Sequence, residues 1–174
     1  QDTPSGIENS LARLNSDGSL DSSFDRPEIG PCSANTIAIQ PDGKIITIGN
    51  YKSNDGTDNY NIARYKDDGK PDPSFIIGVG FGQSSYYYPF ALQLQTDGKI
   101  LIGGSFNFFN NIVKNSLVRL NSDGTLDSTF DGGKGVGWEF GETYSNETAR
   151  VSCLALQADG RVIVGGLFSS YGGT

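Results

Sequence analysis

Two short motifs alternate along this chain, and each is written three times. The first reads LARLNSDGSLDSSFD at 11–25, IARYKDDGKPDPSF at 62–75 and LVRLNSDGTLDSTFD at 117–131. The second reads IAIQPDGKIITIGN at 37–50, LQLQTDGKILIGGSF at 92–106 and LALQADGRVIVGGLF at 154–168. Internal self-similarity of this kind marks a solenoid, propeller or array, in which no unit buries its apolar face alone. The spacing is uneven. Arg13 to Arg64 is 51 residues and Arg64 to Arg119 is 55, while Asp42 to Asp97 is 55 and Asp97 to Asp159 is 62. The excess falls between the motifs, chiefly over 132–150, and insertions of this type map to loops on one face of a repeat protein.

Each motif carries a hairpin signal. Asp-Gly stands at Asp17-Gly18, Asp68-Gly69 and Asp123-Gly124 in the first, and at Asp42-Gly43, Asp97-Gly98 and Asp159-Gly160 in the second. Glycine accepts the positive φ that such turns demand. Pro41 suits a type I turn followed by a left-handed glycine. The flanking segments read as strands. Ile37 and Ile39, Leu92 and Leu94, and Leu154 and Leu156 recur with period two, the period expected of strands. The runs after the turns are denser (Ile45, Ile46, Ile48; Ile100, Leu101, Ile102; Val162, Ile163, Val164) and predict burial on both faces. Gly49, Gly103-Gly104 and Gly165-Gly166 follow them, where backbones are expected to approach closely. No helical periodicity appears.

The prediction is an all-β fold of propeller-type repeats, three four-stranded blades in one repeat domain over residues 1–174. The repeats fall at about 11–61, 62–116 and 117–174. Three blades are fewer than the four to eight of closed propellers. The closing GGLFSSYGGT followed by the opening QDTPSGIENSLARLN resembles the internal GGSFNFFNNIVKNSLVRLN. A partial propeller, a larger parent chain, a ring of copies or a filament would each account for this. The chain opens on Gln1 and holds no methionine, which predicts a processed product or a piece of something longer.

The 24 glycines and 8 tyrosines suit a turn-rich β protein. A net charge of −7 argues against a nucleic-acid partner, which needs a basic footprint. No apolar run approaches the ~20 residues of a spanning helix. The absence of histidine removes Ser-His-Asp and Cys-His nucleophilic designs and most catalytic zinc sites. Cys32 and Cys153 sit at different points of their repeats, so the repeat does not require them, and two free or buried thiols are the plain reading. Gly78 to Gly82 is glycine-rich but has no following helix, so it reads as loop rather than phosphate cradle.

The paired patterns LxRLNxDGxLDxxF and LxxQxDGKIxxGGxF resemble the delta-60 repeat family of bacterial and phage-associated proteins, over nearly the whole chain. The second repeat departs at Tyr65-Lys66-Asp67 and Lys70-Pro71, and the first has Ile48-Gly49-Asn50 in place of a second glycine. The resemblance implies propeller-like repeats in secreted or surface proteins, often large ones. It implies no enzymatic activity and no catalytic residues.

Within the repeat, Asp21, Asp72 and Asp127 are expected to form Asx-turns with a phenylalanine anchoring each corner. Arg13, Arg64 and Arg119 either tie each blade to a neighbouring turn or form a basic ring for an anion, and the former is the plainer reading. Outside the repeat, Tyr86, Tyr87, Tyr88, Phe108, Phe109, Trp138 and Tyr144 are candidate binding residues, because a flat apolar face with a polar rim suits sugars or proteins. About half of these aromatics are expected to pack in the core. Asn54, Asp55 and Asp58 form an oxygen cluster that is a weak calcium candidate, the one cofactor or metal considered. The sequon at Asn146 is a weak glycosylation signal.

The function expected is a non-enzymatic extracellular or cell-surface module, alternatively virion-associated, with a structural or adhesive role. Its partners would be protein subunits or surface glycans, and its termini would mediate assembly into a homo-oligomer. The alternatives are a carbohydrate-binding module and, less favoured, a glycoside hydrolase using Glu139 or Glu142 with an Asp.

Overall fold

The computed structural model describes residues 11–25, 31–52, 58–81, 88–130, 132–133, 135–137 and 149–172, with backbone alone at 31–33, 50–52 and 58–61. Among these residues there are strands and turns and no helix. The strands are β1 (Pro31–Ile39), β2 (Ile45–Lys52), β3 (Asp58–Tyr65), β4 (Tyr88–Leu94), β5 (Ile100–Ser105), β6 (Phe108–Phe109), β7 (Ile112–Val113), β8 (Leu117–Leu120), β9 (Val136–Gly137), β10 (Arg150–Leu156), β11 (Val162–Leu167) and β12 (Ser170–Tyr171). They form antiparallel sheets: β1-β2-β3, β4-β5-β8 and the hairpin β10-β11, with the short ribbons β6-β7 and β12-β9 between them.

The Asp-Gly turns build these sheets. All six glycines adopt φ between +83° and +91°. In each turn the glycine N–H donates to the carbonyl three residues before, as from Gly43 to Gln40 at 2.9 Å, and the strand closes behind it, as from Gln40 N–H to the Lys44 carbonyl at 2.8 Å. The turn aspartate accepts the N–H two residues on, at 2.9 Å from Ser19 and 3.0 Å from Thr125. A type I turn with a left-handed fourth residue therefore closes every hairpin.

A bulge recurs at one place. The register slips by a residue between Ala34 and Thr36, between Pro89 and Ala91, and between Val151 and Cys153. The extra residues are Asn35, Phe90 and Ser152, and all three are exposed. A bulge bends the strand and re-aims the side chain. The partner strand needs glycine there: a Cβ on Gly104 would strike the Tyr88 carbonyl and Pro89, and one on Gly166 would strike the Arg150 carbonyl.

Each three-stranded sheet takes two strands from one sequence repeat and completes its third from the start of the next: β3 runs into Ile62–Tyr65, and β8 is Leu117–Leu120. The fourth strand expected of each blade is reduced to one bridge pair, Tyr65 with Pro71 and Leu120 with Leu126, with Leu14 and Leu20 forming the same pair alone. The main core lies between the two complete blades. Ile46, Ile48 and Ile62 of the first meet Ile100, Ile102, Val118 and Leu120 of the second, with Phe81, Phe106 and Phe109 beneath. Leu92 and Leu94 pack against this cluster.

Burial on both faces holds for β2 and β5, where Ile46, Ile48, Ile100, Leu101 and Ile102 are fully buried. It does not hold for β11. Ile163 is 54% exposed, because no third strand lies on the outer edge of this hairpin among the described residues. Ile37 and Ile39 are also exposed, no blade covering that face of the first sheet among the described residues.

Blades approach closely at Gly103, where a Cβ would overlap Val151 of β10. Gly103→Ala is expected to cost about 1–3 kcal/mol through overpacking, read as a lowered urea midpoint with an unchanged m-value.

Candidate functional site

The most elaborate side-chain arrangement is the corner that follows each LxRL strand. The Asp-Gly turn returns the chain so that the Asp21 N–H donates to the Arg13 carbonyl at 2.9 Å, as Asp72 does to Arg64 and Asp127 to Arg119. One carboxylate oxygen of Asp21 then accepts the Ser23 N–H and hydroxyl at 2.9 and 2.7 Å. This is the expected Asx-turn, reinforced by the hydroxyl. The other oxygen accepts Arg Nε at 2.8 Å from Arg13, 2.9 Å from Arg64 and 2.7 Å from Arg119. Arg Nη2 donates to Ser23, Ser74 and Thr129 in turn. The guanidinium lies over the corner phenylalanine, 5.0 Å from the Phe24 ring centre and 4.6 Å from those of Phe75 and Phe130.

The arginine also reaches outward. Nη1 of Arg13 donates to the Asp67 carbonyl, and Nη1 of Arg64 donates to the Ser122 carbonyl; both acceptors lie in the turn of the next repeat. Beside these bonds, the N–H of Asp25 donates to the Asp68 carbonyl and that of Ile76 to the Asp123 carbonyl, each at 2.8 Å. Phe24 lies against Gly69 and Phe75 against Gly124, so closely that a Cβ on either glycine would touch the ring. From the second motif, Gln40 accepts from Arg64 and Gln95 from Arg119, while Lys44 and Lys99 pair with Asp72 and Asp127. Arg13 and Arg64 are therefore ties to the next repeat, and Arg119 makes the same corner with Asp127, Thr129 and Gln95.

These carboxylates hold their protons weakly. The Ser23 hydroxyl and N–H, then Arg13, bring Asp21 from 3.8 to about 2. Burial pushes Asp72 up, but the Ser74 hydroxyl and N–H with Arg64 outweigh it and hold the group at about 2. Asp127 lies lower still, through the Thr129 hydroxyl first and, opposing burial, the Thr129 N–H, Lys99 and Arg119. A general acid near neutral pH needs the opposite shift.

Of the aromatic candidates, Tyr88 and Phe108 are accessible, Phe108 being 44% exposed. Tyr88 stacks with Phe90, ring centres 6.1 Å apart. Phe90 is the bulge residue of β4 and belongs to this surface; the sequence signal for it is a strand one residue longer than its partner opposite a glycine pair. Ile112 and Val113, exposed on β7, pair with Phe109 and Phe108. Phe109 is not a surface group. It is fully buried with its ring edge-on to Phe81, 5.1 Å between centres, because the β6-β7 ribbon turns alternate residues inward. Tyr86, Tyr87, Trp138, Tyr144, Glu139, Glu142, Asn146, Asn54 and Asp55 lie outside the described residues, as does the side chain of Asp58. No group of three or more metal-binding side chains occurs among the described residues. Cys153 is a free, exposed thiol. Among the described residues no helix is long and apolar enough to cross a membrane. Gly78 and Gly80 lie in a left-handed turn, held by the Asn110 side chain accepting the Gly80 N–H at 2.8 Å.

A cleft of roughly 330 Å³ lies beside the second corner, lined by Ile62, Ala63, Arg64, Tyr65, Pro71, Asp72, Phe75 and Ile77. Its charged groups are paired with each other at 2.9 Å, so it offers mainly apolar wall.

Arg64→Ala takes the nearer of two counter-charges from a nearly buried carboxylate, the Asp72 side chain being 5% exposed, and leaves it Lys44 at 3.6 Å and the Ser74 hydrogen bonds. The expected cost is about 3–5 kcal/mol, measured by chemical denaturation. The aspartates also predict an acid transition. Because the folded carboxylates bind protons more weakly than the unfolded ones, their stabilisation is complete above about pH 5 and is lost as pH falls from about 4 through 2. A melting temperature unchanged between pH 6 and pH 2.5 would contradict this.

Comparison with curated proteins gives no match, and comparison with solved structures gives none. The family described as "Domain of unknown function (DUF5122) beta-propeller" matches residues 5–24, 40–75, 95–130 and 157–174. These segments contain all six Asp-Gly turns and the three Arg–Asp–Phe corners, and together they exceed half of the chain. The chain therefore belongs to this β-propeller family, and its repeats are propeller repeats.

Proposed function

We propose that the chain is a non-enzymatic interaction module of the delta-60 repeat kind, displayed outside the cell or on its surface, or on a virion, with a structural or adhesive role. The observation that carries this reading is the division of labour between repeated and non-repeated residues. The repeated Arg and Asp of each corner pair with each other, and Arg13 and Arg64 also tie to the next repeat's turn. The accessible aromatic and aliphatic groups Tyr88, Phe90, Phe108, Ile112 and Val113 stand outside the repeat pattern. A scaffold with saturated polar groups and an apolar, aromatic surface suits recognition of a protein or glycan. The low proton affinity of Asp21, Asp72 and Asp127 keeps these three groups from acting as general acids near neutral pH.

The test is binding to arrayed glycans and to surface-protein extracts, with the Phe90→Ala/Phe108→Ala variant alongside. The parent chain is expected to bind and the variant to lose tenfold or more in affinity while keeping its melting temperature within a few degrees. Turnover of a glycoside by the parent chain would overturn the non-enzymatic reading. Equal binding by parent and variant would remove the aromatic surface from it.

A further inference from the structure

We propose that the row of bulge residues on the first strands, Asn35, Phe90 and Ser152 with Tyr88 stacked on Phe90, is a binding site for a neutral saccharide. This rests on the interaction-module reading above and deepens it by naming the site and the ligand class.

The first strands of the three hairpins stand side by side, with β4 between β1 and β10. Each carries a one-residue bulge at the same point of the repeat, facing Gly49, Gly103-Gly104 and Gly165-Gly166 in turn. One contact fixes two of these strands at that height. A Cβ built on Gly103 lies 3.5 Å from the Ala91 Cβ and would overlap the Val151 side chain. Ala91 follows Phe90 and Val151 precedes Ser152, so these two bulge residues are neighbours across the blades. The shared register places Asn35 on the other side of Phe90. All three are exposed.

A bulge gives up part of the hydrogen-bond ladder and re-aims a side chain. Here the backbone device is kept in all three strands, and the residue on it changes from amide to aromatic to hydroxyl. The scaffold thus demands the bulge and leaves its occupant to the ligand.

The three occupants match a sugar ring. A pyranose has a face of C–H groups and a rim of hydroxyls that both donate and accept. Phe90 supplies the flat apolar partner for the face, widened by the Tyr88 ring at 6.1 Å and an interplanar angle of 26°. The Asn35 amide offers donors and an acceptor, and the Ser152 hydroxyl serves as either. Neither side chain has a hydrogen-bond partner among the described residues, so both are open to the rim. A mostly apolar wall with a few placed polar groups is the usual composition of a small-ligand site. None of these four side chains carries a charge, and the chain as a whole carries −7. That balance disfavours sulfated and uronic sugars.

The experiment is calorimetric titration of the chain with maltohexaose, cellohexaose, xylohexaose and chitohexaose, and with a heparin hexasaccharide as the charged comparison. At least one neutral hexasaccharide is expected to bind with Kd below about 1 mM, and more tightly than the heparin fragment. Phe90→Ala is expected to weaken binding about tenfold or more, and Asn35→Ala and Ser152→Ala about threefold each. Phe90→Trp, which keeps a flat ring, is expected to retain binding. Phe108→Ala, on the separate β6-β7 ribbon, is expected to leave it unchanged. These positions are exposed, so melting temperatures are expected to stay within a few degrees. Absence of heat with every neutral hexasaccharide, tighter binding of the heparin fragment, or affinity that Phe90→Ala or both polar variants leave unchanged would each overturn the proposal. A chain that binds a surface protein through Phe108 and binds no neutral sugar would keep the interaction-module reading and lose this one, so the two fail separately.

Discussion

A single guanidinium per repeat is the interaction on which this architecture depends. Arg64 binds a carboxylate through Nε, a serine hydroxyl through Nη2, and a neighbouring carbonyl and a glutamine through Nη1, with an aromatic ring beneath. Bringing a charge pair out of water is costly unless every donor and lone pair finds a partner. The planar fork of arginine meets that demand, and a lysine ammonium would not. The exposure of the three arginine side chains follows how far their surroundings are filled: 6% for Arg64, between two complete neighbours, 18% for Arg119 and 40% for Arg13. The pair is strong where packing excludes water and becomes an ordinary surface ion pair where it does not.

The corner also explains why so little of the repeat is free to carry chemistry. Its aspartate, hydroxyl, arginine and phenylalanine are all bound to one another before any ligand arrives. What varies between repeats is what the scaffold leaves alone: the bulge position, occupied by Asn35, Phe90 and Ser152, and the ribbon β6-β7 with Phe108 and Val113. Side chains aimed outward by a rigid bulge lose little conformational freedom on binding, and aromatic ones provide contact area at low entropic cost.

Much of the fold is legible from residue order. Asp-Gly with alternating flanks specifies the hairpins, and Asp-x-Ser/Thr-Phe specifies the corner, because both depend on contacts within about ten residues. Gly103 is legible as a place of close approach, although the sequence does not say that Val151 is what approaches. Burial across blades is not legible. Ile46 and Ile163 look alike in sequence and differ completely in exposure, since exposure is decided by which strand lies alongside. Phe108 and Phe109 are likewise adjacent and similar, yet one is on the surface and one in the core, because a two-residue ribbon alternates its faces. The reduction of the fourth strand to one bridge has no sequence signal that distinguishes it from a longer strand.

The displacement between sequence repeat and sheet has a genealogical consequence. Since β3 runs from the repeat that supplies β1 and β2 into the next, a blade has no seam that coincides with the unit of duplication. Copying one period of the gene at any phase inserts a hairpin, a third strand and a corner in the right order, and leaves the flanking joints chemically unchanged. An array built this way can gain or lose whole periods without needing a new kind of joint.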